Sequence, residues 1–160
     1  MKALVYTKPN EVIYRDEPEP QFGAGDVLIA VDAVGICGSD MHAYHGHDPR
    51  RNPPLILGHE LAGRILEGPG KGRRVTVNPL ITCGWCEYCK QGRDNLCANR
   101  TLIGTYTYST ADLRAAALAL HEGAFGDLAW VEERPLSEGA TAFRDLHEGR
   151  TPAAKVVLRP

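Results

Sequence analysis

The first eighty residues alternate between short apolar runs and breaks made of glycine, proline and polar residues. The runs are rich in valine, isoleucine and leucine and read ALVYT, VIYRDE, DVLIAVDAVGIC, AGRILEG and RRVTVNPL. Breaks such as Pro9-Asn10 and residues 23–26 separate them, and runs of this length between turn residues are typical of β-strands. Several strands at this spacing, without helices between them, predict a closed or nearly closed β-barrel rather than alternating strands and helices.

The GPGKG stretch at residues 68–72 is a predicted turn. Its glycines do not have the G-x-G-x-x-G spacing of a phosphate-binding loop, and no helical pattern follows it.

The pattern becomes helical after Gly104. In STADLRAAALALHEGAF apolar residues recur every three or four positions, which predicts a helix capped by Ser109 or Thr110 and stopped by Gly123. Its shared apolar face comprises Leu113, Ala116, Ala117 and Leu120.

The end of the chain predicts strand, helix and strand. DLAWVEERPL and AAKVVLRP are the strands, and SEGATAFRDLHEGR is the helix between them, with Ser137 as cap and Gly149 as stop. Its buried stripe is predicted to be Ala140, Phe143 and Leu146. The fold class is therefore mainly β with a few helices. We expect one domain over residues 1–160, in which residues 105–160 complete an N-terminal part at residues 1–104.

Composition and charge narrow the function classes. Hydrophobic residues make up 43% and charged residues 24% of the chain, as in ordinary globular proteins. A net charge of -2 gives no basic footprint for nucleic acid, and no apolar run approaches the roughly 18 residues of a membrane span. An odd cysteine count and the lack of a signal-peptide pattern favour a reducing compartment, and we expect a cytoplasmic protein.

Four of the five cysteines lie within fifteen positions. Cys83, Cys86, Cys89 and Cys97 are spaced C-x2-C-x2-C-x7-C, and such thiolates can bind one tetrahedral zinc ion at about 2.3 Å. An all-cysteine site has no open coordination position, so zinc here would be structural and would add roughly 10 kcal/mol or more to folding. An iron–sulfur cluster and a pair of disulfides are the alternatives.

The remaining candidate ligands form a second group upstream, which comprises Cys37, Ser39, Asp40, His42, His59 and Glu60. Glycines flank the His59-Glu60 pair and allow close backbone approach. One thiolate, one imidazole and one carboxylate would leave a zinc ion with an open position for water or substrate, as catalytic sites require. A buried cysteine beside a hydrogen-bonded histidine, without metal, is the alternative on spacing alone.

Three segments together resemble a known family. GICGSDMH, GHELAG and the four-cysteine stretch, in this order and at these separations, resemble the zinc-containing medium-chain alcohol and polyol dehydrogenases, especially their sorbitol and threonine dehydrogenase branch. The resemblance covers residue 1 to about residue 104, and the sequence from residue 111 onward is similar to the C-terminal end of the same family. It implies a GroES-like, partly open β-barrel with a zinc-binding lobe.

The same resemblance implies roles for the upstream residues. Cys37 and His59 would be catalytic zinc ligands, and Glu60 a ligand or near ligand. Ser39 would accept the proton of a substrate alcohol, and His42 would pass it towards solvent. Zinc would lower the pKa of the bound alcohol, so that the resulting alkoxide could give up a hydride.

Other polar residues are given no chemical role. Asp40 is expected to cap or orient, and His45 and His47 to be solvated or to line the substrate rim. His121 and His147 lie near the C-termini of predicted helices, where positive charge is favourable.

The nucleotide-binding domain of the family has no counterpart in these 160 residues. Such a domain needs G-x-G-x-x-G at the start of a helix and an acidic residue about 20 positions later, and the sequence contains no such motif. CANRTLIG passes directly into TYTYSTADLR, as though the domain had been removed at Gly104. The segment that would supply a third protein ligand to the catalytic zinc is missing as well, so Glu60 becomes a necessary ligand.

These features predict a zinc-binding catalytic domain of oxidoreductase ancestry. NAD(P) is not expected to bind, and because hydride transfer needs an acceptor, we expect little or no dehydrogenase activity from the chain alone. A zinc-dependent hydrolase of the esterase kind and a non-catalytic zinc scaffold are the alternatives. The expected substrate is a small alcohol, polyol or carbonyl compound, with no nucleic-acid or membrane partner. The apolar surface left by the missing domain predicts self-association.

Overall fold

The computed structural model describes residues 1–97, Asn99 and residues 108–160. These residues form two compact units, one made of Met1–Val77 with Trp130–Pro160 and the other of Asn78–Ala129. We call them the sheet unit and the cysteine unit. The predicted boundary between residues 104 and 105 lies outside the described residues, and the single domain remains a prediction.

The sheet unit contains eight strands and two helices in its described residues. The strands are β1 (Lys2–Lys8), β2 (Glu11–Asp16), β3 (Leu28–Gly35), β4 (Leu55–Ile56), β5 (Glu60–Glu67), β6 (Arg74–Thr76), β7 (Val131–Pro135) and β8 (Lys155–Arg159). Helix α1 spans Gly38–Tyr44, and the second helix of the unit, which follows β7, spans Gly139–His147. The five strands predicted before residue 80 and the two predicted near the end of the chain are confirmed, whereas β4 and α1 were not predicted.

Two sheets account for these strands. The first has the order β2-β1-β4 and the second the order β6-β5-β3-β8-β7. The mainly β class is confirmed. Among the described residues neither sheet closes on itself, so the closed or nearly closed barrel predicted from the strand spacing is corrected to two open sheets. The turn predicted at residues 68–72 connects β5 to β6, and positive φ angles at Gly68, Gly70 and Gly72 explain the glycines there.

The C-terminal strands pair in parallel. β7 runs alongside β8 from Val131, opposite Lys155, to Pro135, opposite Arg159, and the helix at Gly139–His147 makes the crossover that parallel strands need. β8 also pairs with β3 in antiparallel fashion. The end of the chain therefore lies next to the strand that leads into Cys37.

The core of the sheet unit joins both sheets to both helices. Leu4 and Tyr6 of β1 pack in one buried cluster with Leu158 of β8, Tyr44 of α1 and Phe143 of the crossover helix. Phe143 is 2% exposed. This cluster holds the two helix ends in fixed positions relative to the sheets.

Two predictions for the crossover helix need correction. Ser137 is not its cap, because residues Leu136–Glu138 form a 3-10 turn and Glu138 precedes the first helical residue. Its buried residues are Gly139, Ala142 and Phe143, while Ala140 and Leu146 of the predicted stripe are half-buried.

The cysteine unit contains α2 (Glu87–Lys90), a 3-10 turn at Asp94–Leu96 and α3 (Thr110–His121). We number the crossover helix α4. Ser109 caps α3 in a capping box with Asp112, and Gly123 follows with φ +74°, so the predicted start and stop are confirmed. No residue of α3 is buried. In the described part of the chain, no helix has the length and apolar character needed to cross a membrane.

Candidate metal centres

The first candidate centre begins where β3 leads into α1. Cys37 is the residue before α1, and its backbone N–H donates to Asp40 Oδ2 at 3.0 Å. Asp40 is 1% exposed. The capping role predicted for Asp40 is confirmed, and the cap fixes the position from which the Cys37 side chain extends.

Asp40 also orients a histidine. Its Oδ1 lies 3.3 Å from His59 Nδ1 and 3.4 Å from Arg51 Nη1. Because an ionised carboxylate can only accept hydrogen bonds, Nδ1 carries the proton and Nε2 keeps its lone pair. That Nε2 lies 3.3 Å from Ser39 Oγ. Asp40, which does not belong to the ligand group, thus leaves Nε2 as the His59 nitrogen with a lone pair for a metal ion.

The charge on Asp40 follows from the balance of burial and partners. Burial raises the pKa of Asp40, but the hydrogen bonds from His59 and the Cys37 N–H, with the charges of His59 and Arg51, outweigh it and lower the pKa below its usual value. The carboxylate is therefore ionised at neutral pH.

Close packing of β3 on β5 brings Glu60 to the same place. Gly35 and Glu60 are partners in the antiparallel pair, and a Cβ at Gly35 would lie 2.7 Å from Glu60 Oε2. Just before β5, Gly58 has φ +114° and lies against Val34, where a Cβ would meet Cγ2 at 2.9 Å. The positive φ and the close Val34 side chain favour glycine at position 58, whereas a Cβ at position 35 would require the end of the Glu60 side chain to move.

The structure brings Cys37, His59 and Glu60 together. Each offers one ligand atom, these three atoms all lie within 4.8 Å of one another, and all three residues are half-buried. A thiolate, an imidazole nitrogen and a carboxylate oxygen are the donors that zinc takes in proteins. The donor set therefore fits a zinc ion with a free coordination position.

Lys155 is a member of this centre that the sequence did not predict. Its Nζ forms an ion pair with Glu60 Oε2 and donates to the Ile36 carbonyl oxygen at 3.1 Å. Lys155 opens β8, 95 residues after Glu60, so local spacing carries no signal for the contact. The carboxylate of Glu60 has an ammonium partner as well as the two other ligand residues beside it.

His42 lies outside the ligand group. Its side chain is exposed on α1, and its ring centroid is 6.3 Å from that of His47.

The second candidate centre is formed by the four cysteines of the cysteine unit. Their Sγ atoms all lie within 4.8 Å of one another, with separations of 3.5 Å for Cys86–Cys89, 3.6 Å for Cys83–Cys97 and 3.9 Å for Cys83–Cys89. Four sulfurs around one zinc at 2.3 Å lie about 3.8 Å apart. None of the four is in a disulfide, so the structure does not contain the disulfides considered as an alternative.

Hydrogen bonds favour a thiolate within this cluster. Burial acts to raise the pKa of Cys83, but the backbone N–H groups of Trp85 and Cys86, together with the neighbouring thiols, lower it to about 6. Burial and the hydrogen bond with Cys86 raise the pKa of Cys89 to about 11. A donor set with one thiolate already favoured is suited to a cation, which removes the other protons on binding.

Residues 23–138 match the family described as Alcohol dehydrogenase GroES-like domain. Over 113 residues the chain is 42% identical to a zinc-type alcohol dehydrogenase-like protein of Haemophilus influenzae, covering 66% of this chain and 33% of that protein. It is 40% identical over 119 residues to L-threonine 3-dehydrogenase of Pyrococcus furiosus, covering 67% and 34% respectively. The chain thus spans about one third of the length of these relatives.

Solved structures of dehydrogenases are also similar to this chain. Alcohol dehydrogenase TADH from Thermus sp. ATN1 matches with a TM-score of 0.56 and 36% identity, over 62% of this chain and 31% of that one. Galactitol-1-phosphate dehydrogenase from Escherichia coli matches with a TM-score of 0.58 and 28% identity, over 68% and 33%.

Proposed function

Because the chain belongs to the alcohol dehydrogenase GroES-like domain family, we propose that it is the zinc-binding catalytic part of a zinc-type alcohol or polyol dehydrogenase. The observation that supports this most directly is the convergence of Cys37, His59 and Glu60 on one point. Zinc held by these residues would polarise the oxygen of an alcohol or carbonyl substrate as a Lewis acid. In this proposal Cys37 and His59 are the principal zinc ligands, and Glu60 is the third ligand that the protein supplies.

Ser39 is the residue to which we assign the substrate proton. Its hydroxyl lies beside the coordinating nitrogen of His59, at 3.3 Å, and it also lies 3.4 Å from Arg51 Nη2. A proton on Ser39 would therefore be next to a fixed cation, which favours its onward transfer. The exposed His42 is the group through which it would reach solvent.

The four-cysteine centre has a different role in this proposal. Four thiolates leave no coordination position for a substrate, so a zinc ion there would hold the fold of the cysteine unit. Its donors all come from a segment of fifteen residues with little regular secondary structure, which is the kind of segment that metal binding stabilises.

Activity of the 160-residue chain by itself is proposed to be low. Oxidation of an alcohol transfers a hydride to an acceptor, and the nicotinamide cofactor supplies that acceptor in dehydrogenases. The sequence contains no G-x-G-x-x-G motif, and the chain spans about a third of its relatives. We therefore propose that it does not bind NAD(P) on its own and polarises substrates without oxidising them.

The proposed substrate class, association and location each follow from a separate observation. Small alcohols and polyols are proposed because relatives are named for L-threonine and galactitol-1-phosphate. Self-association is proposed because Leu118, Leu120, Phe125 and Trp130 are exposed large apolar residues. The odd number of cysteines, five, favours a reducing compartment such as the cytoplasm.

The test combines metal content with two activity assays. Zinc-loaded chain is incubated with NAD or NADP and a panel of small alcohols and polyols, and separately with an activated ester, each with and without chelator. We expect no cofactor reduction above background and a zinc content that falls by one ion per chain in Cys37→Ala. The control is Ser109→Ala, which removes the cap of α3 and none of the ligand residues, and which should keep both ions.

Robust reduction of NAD or NADP by the pure chain would refute the proposed lack of activity. Chelator-sensitive ester hydrolysis that Cys37→Ala abolishes without unfolding would favour a hydrolase. Unchanged zinc content in Cys37→Ala would show that the Cys37 group does not bind zinc, and would favour the scaffold alternative.

A further inference from the structure

Arg51 places a positive charge beside the candidate catalytic centre. Its Nη2 lies 3.4 Å from Ser39 Oγ, and that hydroxyl lies 3.3 Å from His59 Nε2, the nitrogen whose lone pair faces away from Asp40. The Arg51 side chain is 19% exposed, so a dissolved molecule can still reach part of it. The guanidinium is therefore next to the hydroxyl to which we assign the substrate proton.

The contacts of Arg51 with carboxylates are long. Nη1 lies 3.4 Å from Asp40 Oδ1 and Nε lies 3.6 Å from Asp48 Oδ2, whereas hydrogen bonds between charged N–H groups and carboxylates measure about 2.7–2.9 Å. Asp48 is held instead by Arg50, whose Nε and Nη2 donate to its two oxygens at 2.8 and 3.1 Å. Asp40 Oδ1 is shared with His59 Nδ1 at 3.3 Å. Both carboxylates thus have closer partners than Arg51.

The Arg51 guanidinium has more donors than acceptors around it. In the part of the chain that the structure describes, each of its three nitrogens has one acceptor, and none of these is closer than 3.4 Å. Of its five N–H donors, two therefore have no protein acceptor there, one on each Nη. A planar fork of this kind binds a carboxylate or a phosphate through parallel N–H···O bonds.

A backbone turn holds Arg51 at this position. Its N–H donates to the Asp48 carbonyl oxygen at 3.1 Å, and the Arg50 N–H donates to Asp48 Oδ1 at 3.1 Å. Lys155, the other cation described at this centre, is engaged by the Glu60 carboxylate. Of these two cations, Arg51 is thus the one with donors left for an incoming anion.

We propose that Arg51 selects substrates that carry an anionic group, a carboxylate or a phosphate, near the reacting alcohol or carbonyl. This inference rests on the proposed function of the Cys37 centre, and it narrows the substrate class to hydroxy acids and phosphorylated alcohols. A substrate whose alcohol lies against Ser39 brings an anionic group a few bonds away within reach of the guanidinium, because Nη2 is 3.4 Å from that hydroxyl. A neutral analogue would leave the guanidinium without this partner.

The test compares two pairs of matched ligands. They are 3-hydroxybutyrate with 1,3-butanediol, and glycerol 3-phosphate with glycerol, and the two pairs distinguish a carboxylate from a phosphate. Calorimetry gives the affinity of each ligand for the zinc-loaded chain, and zinc content is measured on the same samples. We expect at least one anionic ligand to bind about tenfold or more tightly than its neutral partner, since a hydrogen bond to a charged group contributes at least about that factor.

Three variants locate the preference. Arg51→Gln should abolish it with zinc content unchanged, and Arg51→Lys, which keeps the charge but not the fork, should retain part of it. The control is Arg64→Gln, which removes the same charge from β5 of the same unit, where Arg64 donates to the Gly72 carbonyl oxygen. This variant should keep the wild-type preference.

A second measurement uses the unmodified chain and does not depend on the variants folding. In NMR of the arginine side chains of zinc-loaded wild type, the anionic ligand should shift the Nε–H resonance of Arg51 before that of Arg64, and its neutral partner should shift neither.

Two kinds of failure are distinguishable. Wild-type affinity for both anionic ligands no higher than for their neutral partners, or a preference that survives in Arg51→Gln, would overturn this inference alone. A wild-type chain that holds no zinc at the Cys37 centre would overturn the proposed function and this inference with it.

Discussion

Replacing Asp40 by asparagine tests how the candidate catalytic centre is organised. The change preserves the shape of the side chain, and its amide oxygen can still accept the Cys37 N–H that Oδ2 accepts at 3.0 Å. The amide NH₂ then occupies the position of Oδ1, facing His59 Nδ1 and Arg51 Nη1 at 3.3 and 3.4 Å. Because NH₂ is a donor, His59 must present a lone pair at Nδ1 and carry its proton on Nε2.

The change of His59 tautomer determines the expected losses in zinc affinity and in folding stability. A proton on Nε2 removes the lone pair that Asp40 leaves available for zinc, and loss of an orienting partner costs about 10- to 100-fold in metal affinity. Asp40 is 1% exposed, so water does not replace the lost bonds. A hydrogen bond involving a charged group contributes about 1.5–3 kcal/mol, and we expect a loss of about 2 kcal/mol in the free energy of unfolding.

The assay is zinc affinity at the Cys37 centre, measured by competition with a chromophoric chelator, together with urea unfolding at fixed free zinc. Asp48→Asn is the matched control, because Asp48 pairs with Arg50 and Arg51 on the same loop. If Asp40→Asn binds zinc as tightly as Asp48→Asn, Asp40 does not set the tautomer of His59, and the reasoning on this centre is wrong.

Three further predictions concern the rest of the molecule. Cys89→Ser should lower the zinc content by one ion per chain and unfold the cysteine unit, as followed by hydrogen exchange, since the site loses one of four thiolates; full zinc content would contradict a four-thiolate centre. Phe143→Ala should cost about 3–5 kcal/mol in urea unfolding, because a buried aromatic ring leaves a cavity, and a loss below 1 kcal/mol would argue against the described core. In Asp145→Asn the change should depend on pH, because hydrogen bonds from Arg134 and Arg150 lower the pKa of Asp145. Its stabilising contribution should be full above an unfolded-state pKa of about 3.9 and lost as pH falls through the lower folded-state pKa, so equal stability of variant and wild type at pH 6 would refute the ion-pair network.

The strands were predictable because each apolar run is bounded by turn residues. The hairpin at Pro9-Asn10 is an example, since Asn10 adopts φ +63°, which asparagine tolerates. The pairing of the strands into sheets was harder to predict from the sequence. β4 has only two residues, too few for a pattern, and the parallel pairing of β7 with β8 depends on a crossover that periodicity does not encode.

The helix patterns predicted which residues share an apolar face, but not which residues pack against that face. The apolar positions of α3 share a face as predicted, yet none of its residues is buried. In α4 the cap was misplaced because Ser137 lies within a 3-10 turn, whose residues look the same in sequence as a helix start.

The ligand groups were predictable from residue type and spacing, whereas their supporting contacts were not. Cys37 and His59 are 22 positions apart but lie at facing ends of paired strands, and the family resemblance indicated both. Lys155 reaches Glu60 from the far end of the chain, and nothing local in the sequence marks this contact. Long-range contacts of this kind depend on the order of strands in the sheet.

The most direct test of the central claim is the anomalous scattering of a zinc-loaded crystal of this chain, recorded on both sides of the zinc absorption edge. We expect one peak among the sulfurs of the four-cysteine centre and a second between Cys37 and His59. A single peak at the four cysteines, with none near Cys37 and His59, would contradict it.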